Sequence, residues 1–198
     1  LLARGNIIES AEKIDELLER GVSYSEHLSI GGAGGGSPRQ QGPSKRFVEA
    51  NPFERIAEVI ETLEVLCCGD APISGFDAKI NNLASIVANT CDNDTDATLA
   101  SLVLTQKTSY AIKHEVDVAV LAAVVGQKAG LSQRDRLSVI CAALTMNISM
   151  LEYQDWLHNQ SASLTEDQLF VIHKHPLEAV TILAQARVRD PVWLQSVA

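Results

Sequence analysis

From Asn51 onward the apolar residues recur at the three-and-four spacing of helices, segment after segment, and no run alternates with period two for long. A chain patterned this way buries stripes of helix against one another, not the face of a sheet, so an all-α fold is expected. The punctuation agrees. Asn51-Pro52 supplies an N-cap with proline at the first helical position. Phe53, Ile56, Ile60, Leu63 and Cys67 then share one face, Glu54, Glu58 and Glu61 take the wet side, and Gly69 ends the run. Ser74 with Asp77 predicts a capping box for a helix to about Asn89, and Asp94 or Thr95 opens another through about Gln106. Tyr110 to Ala129 is apolar almost all round, the mark of a central buried helix. Ser132 with Asp135 caps a helix holding Val139, Ile140, Ala143 and Leu144. Thr165 with Gln168 caps one that should end near His175, because Pro176 disfavours helix at the residue before it. Asp190-Pro191 opens a last helix.

The region before this array differs in kind. Residues 31–46 hold half of the chain's glycines and no Asp, Glu, Ile, Leu, Val or Phe, so they cannot bury a core and read as a flexible linker. Ahead of the linker, residues 1–30 form a small element in which Ser10 caps a helix to Arg20 carrying Ile14, Leu17 and Leu18. The expected organisation is 1–30 appendage, 31–46 linker and 47–198 helical domain.

Composition narrows the function. A formal charge of −9 over 198 residues disfavours a nucleic-acid polymer as partner, and an aromatic content of 5% supplies few stacking platforms. The longest apolar stretch, Val118 to Gly126, falls far short of the roughly 20 residues a membrane span needs. The four cysteines show no CxxC spacing. They read as small apolar residues in a reducing, cytoplasmic setting.

Chemistry is sparse. The Gly31–Gly36 cluster lacks the Lys-Ser/Thr ending of a phosphate loop. Asp92, Asp94 and Asp96 alternate as in a calcium loop, but Ala97 stands where that loop needs glycine, so a helix N-terminus is the simpler reading. On the apolar helix His114 shares a face with Val118, Leu121 and Val125, where a lone histidine is more often a satisfied core residue than a ligand. His27 and His158 have no supporting pattern.

Three stretches nonetheless converge. His114 is followed by AVLAAVVGQKAGLS (119–132), then by AALTMNISM (142–150), then by LTEDQLFVIHKHP (164–176). Their order and spacing resemble the HD-GYP branch of the HD metal-dependent phosphohydrolases, with the HDOD output domains as second choice. The leading LLARGNIIESAEKIDELLERGV (1–22) resembles the segment that often precedes HD-GYP domains in bacterial signalling proteins. The resemblance implies an HD-type helical bundle that continues beyond Ala198 into His-His-Glu and Gly-Tyr-Pro motifs. It also implies a two-metal centre that cleaves cyclic di-GMP, with His114 at the first ligand position. The family's central His-Asp pair, however, falls on Thr145-Met146, its Gly on Ser149 and its Lys on Met150. A hydroxyl and a thioether are poor ligands for the hard cations that polarise a phosphate. No catalytic residue and no cofactor is therefore expected. His114, Thr145, Met146, Met150 and His175 are vestigial positions, with His114 and His175 the remaining weak metal candidates, bonded to Thr145, Asp117 or water. The expected function is a degenerate signalling module that binds a partner protein or a cyclic dinucleotide. The alternative is a phosphodiesterase using iron or manganese in an unorthodox site built from His114, His175 and Asp92, Asp94 or Asp117. A third reading is a scaffolding bundle in which helix Pro52–Cys68 pairs with its copy as a homodimer.

Overall fold

The computed structural model describes residues 51–68, 74–104 and 108–198. The expected 1–30 appendage and 31–46 linker lie outside the described residues. The described residues belong to one compact unit, Phe47–Ala198. They form eight helices and no strand: α1 (Pro52–Cys67), α2 (Phe76–Asn93), α3 (Thr95–Leu104), α4 (Tyr110–Lys128), α5 (Gln133–Ala143), α6 (Leu151–His158), α7 (Glu166–Gln185) and α8 (Pro191–Val197). None is long and apolar enough to cross a membrane. The fold is all-α.

Asn51 starts α1 as its sequence implies, its side chain accepting from the Phe53 N–H at 3.1 Å. The helix buries Ile56, Val59, Ile60, Leu63 and Leu66 against α2, α3 and α4. That stripe is covered within the chain, so it is not the face by which this helix would pair with a second copy. Cys91 and Cys141 are buried as expected, whereas Cys67 is half-buried and Cys68 exposed.

α2 departs from its expected start. Gly75, in the left-handed region at φ 71°, occupies the cap with no side-chain bond, so Ser74 does not close a capping box. The helix also runs on to Asn93 instead of Asn89. Asp94 then accepts from the Ala97 N–H at 2.9 Å, which makes the acidic run a helix start.

α4 is central but not buried all round. Ala111, Ile112, Glu115, Val116, Ala119, Val120 and Ala123 face the core, whereas Leu121 and Val125 are exposed. The helix is rotated from the expected phase, and His114 with Val118 lies on its flank. Ser132 caps α5 as expected, accepting from the Asp135 N–H at 3.1 Å. α6 has no counterpart in the sequence reading.

α7 does not stop at His175. Thr165 and Gln168 form the expected capping box, but the helix runs through Pro176 to Gln185. Proline lacks the N–H that would reach the Ile172 carbonyl. The His175 ring takes that carbonyl through Nδ1, and since a carbonyl can only accept, Nδ1 carries the proton. The Ser149 hydroxyl donates to the His175 carbonyl at 2.9 Å and ties the middle of α7 to the turn before α6.

Candidate functional site

The turn from Leu144 to Met150 joins α5 to α6 and carries the positions where the metal ligands were expected to be replaced. Thr145 is 1% exposed. Its Oγ1 donates to the Cys141 carbonyl at 2.8 Å and accepts from the Trp193 indole N–H at 2.9 Å. Trp193, also 1% exposed, arrives on α8. α8 is positioned by Asp190, whose carboxylate accepts from the Val192 and Trp193 N–H groups at 2.9 and 3.0 Å and from the Ser138 hydroxyl at 2.9 Å. Burial alone would raise the Asp190 carboxyl, but the Trp193, Ser138 and Val192 donors outweigh it and hold it below its usual value.

These side chains do not fit a two-metal centre. The Thr145 hydroxyl is buried, with its proton on the Cys141 carbonyl and the Trp193 N–H on its oxygen. Met146 is half-buried and offers only a thioether. Met150 is half-buried at the cap of α6.

The two histidines are engaged separately. His114 stacks on Tyr110 at a centroid distance of 5.8 Å, and Tyr110 stacks in turn on His158 at 3.7 Å, so His158 joins α4 to α6. His175 repairs the proline break. Among the described residues, neither is bonded to Thr145 or Asp117. Asp117 pairs with Lys113 one turn away. Asp92 pairs with Arg136 at 2.9 Å and accepts from Gln127 at 2.9 Å. With Asp94 capping α3, each carboxylate proposed for an unorthodox site already has a structural partner. Among the described residues, no three His, Cys, Asp or Glu side chains gather as metal ligands.

One buried acid escaped the sequence reading. Glu115, 1% exposed, accepts from the Asn147 amide at 2.7 Å, and its second carboxylate oxygen has no partner. Burial pushes its carboxyl up to about 8 against the opposing pull of the Asn147 amide and of the Asn147 and Met146 backbone. The available signal was its place on the Ala111–Glu115–Ala119 face, one position from the histidine that drew attention.

Beside this turn lies a cleft of about 380 Å³ lined by Cys67, Cys68 and residues 148–153. Burial, then the Glu115 charge, push the Cys67 thiol up to about 12. The Cys68 thiol is also raised, by burial and then by Glu64, Asp155 and Glu152. Both thiols are thus kept protonated, and neither is an activated nucleophile. Glu152 lines the cleft, and Glu64 and Asp155 also act on the Cys68 thiol at its wall.

No family model, curated protein or solved structure matches the chain.

Proposed function

We propose that the chain is a catalytically degenerate HD-GYP-like module of a cytoplasmic signalling protein, acting by binding and not by hydrolysis. The observation that carries this reading is the Thr145–Trp193 bond. The position where an imidazole would hold a metal has become a hydrogen-bonded joint between α5 and α8. Hydrolysis of a phosphodiester by this family's chemistry requires ions that generate hydroxide and neutralise developing charge. The residues at 145 and 146 supply neither a hard ligand nor a bridging carboxylate.

Of the two ligand classes, a partner protein is favoured over a cyclic dinucleotide. The cleft beside the degenerate turn carries Glu152, with Glu64 and Asp155 acting on Cys68, and such a field repels paired phosphates. Metal analysis and incubation with cyclic di-GMP and manganese test the reading together. The expected result is a substoichiometric metal content and no turnover. Two iron or manganese ions per chain, with turnover lost in His114→Ala, would overturn it.

A further inference from the structure

α7 is the longest described helix and the least enclosed. Among the described helices it packs against α8 alone, and only Gln168, Ala179 and Leu183 of its residues are buried. Its outer side mixes polar residues, the exposed Lys174–Glu178 pair among them, with large apolar side chains that such a face ordinarily lacks. Phe170 is 66% exposed and Leu177 is 67% exposed, and Ala184 follows at the same spacing, also exposed. Residues seven apart lie on one seam of a helix, so the three make a single ridge about 21 Å long.

We propose that this ridge is a self-association surface on which α7 packs antiparallel against α7 of a second copy, with the two-fold axis at Leu177. The sequence of the helix is complementary to its own reversal about that point. Leu177 meets the partner's Leu177. Phe170 meets the partner's Ala184, a large side chain against a small one, as close helix packing requires. Asp167 at the start of α7 meets the partner's Arg187 just past its end, and the pair occurs twice because the axis repeats it. A parallel pairing would set Phe170 against Phe170 and like charge against like at both ends. The same ends explain why the second copy is the occupant. The surface offers acid at one end and base at the other, so what fits it is acidic and basic in the opposite order, and α7 is such an element. Arg187 stands in the left-handed region at φ 68°, where glycine would carry no penalty.

A single helix pair covers less than the roughly 1,600 Å² of a standard interface, so the dimer is expected to dissociate on dilution. Sedimentation velocity of the full chain, from micromolar to millimolar concentration, tests it. The native chain should pass from monomer to dimer, and Leu177→Asp should remain a monomer with unchanged circular dichroism. Asp167→Arg alone and Arg187→Asp alone should each weaken association about tenfold, and the two together should restore it. A native chain that stays monomeric throughout overturns the proposal. So does a dimer that Leu177→Asp leaves intact, or one that the double reversal fails to restore.

Discussion

The joint at Thr145 and the ridge on α7 treat a large aromatic side chain in opposite ways, Trp193 being buried and Phe170 exposed. At the joint, side chains from α5, α8 and the intervening turn close on each other until Thr145 and Trp193 are withdrawn from solvent. On α7 an apolar seam of similar length is left outside, and the helix is held by α8 and two tethers, Ser149 on His175 and Gln160 on Gln168. The contrast separates two causes of a pattern in sequence. Apolar periodicity marks a face that will be covered, and it is silent about whether the cover comes from the same chain.

Equal truncations in the two regions should therefore differ most. Trp193→Ala removes a fully buried indole and the donor to Thr145, and urea unfolding should show a loss of about 3–5 kcal/mol. Phe170→Ala, measured on dilute monomer, should change stability by less than about 0.5 kcal/mol. Similar losses at both positions would mean that α7 is covered within the chain.

Glu115 sharpens the comparison, because its burial beside the turn makes the joint region sensitive to pH. Its carboxyl titrates near 8 in the folded chain against an ordinary 4.5. The folded state thus retains a proton that the unfolded chain releases. Its contribution is full below the unfolded value and is lost as pH rises through the folded one. Stability should fall between about pH 4.5 and pH 8 by roughly 4–5 kcal/mol, and Glu115→Gln should flatten that slope. The Asn147 amide would still find an oxygen acceptor in the variant. An unchanged slope in Glu115→Gln would place this carboxyl in water.

Arg136 gives the next effect. Its Nε donates to the Ala123 carbonyl at 2.8 Å while a terminal nitrogen holds Asp92 at 2.9 Å. Arg136→Leu removes this second donor from the helical Ala123 carbonyl and frees Asp92, at a cost of about 1–2 kcal/mol in urea unfolding. One effect should be a gain. Arg187→Gly relieves the left-handed backbone and should raise the stability of the monomer by about 0.5–1 kcal/mol, read from its thermal midpoint. In the same variant dimerisation should weaken, which sets the two roles of that position against each other.

What could be read from the sequence was mostly local. Asn51-Pro52, Ser132 with Asp135, Thr165 with Gln168 and Asp190-Pro191 each mark a helix start through bonds spanning two or three residues, and all four are found. The α1 stripe was legible for the same reason, since Glu54, Glu58 and Glu61 fix its phase. α4 has no such contrast. With apolar residues on every side, the period identifies a helix but leaves its rotation open, so it does not separate the flank that holds His114 from the buried face that holds Glu115. α7 continues past Pro176 with the His175 ring at the Ile172 carbonyl that proline leaves without its N–H, a side-chain contact that proline statistics do not carry. The Thr145–Trp193 bond crosses 48 positions of chain, beyond any periodic signal. The sequence did show that Thr145 and Met146 could not serve a hard metal ion. It could not show what Thr145 does instead.

The exchange of the two indole protons, followed by nuclear magnetic resonance during a manganese titration, probes that joint most directly. Trp156 is exposed and serves as an internal reference for Trp193. The Trp193 proton should exchange far more slowly than that of Trp156, and its signal should be untouched by added ions. A Trp193 proton that exchanges as fast as its exposed counterpart, or a signal that is lost with saturation at two ions per chain, would contradict the account.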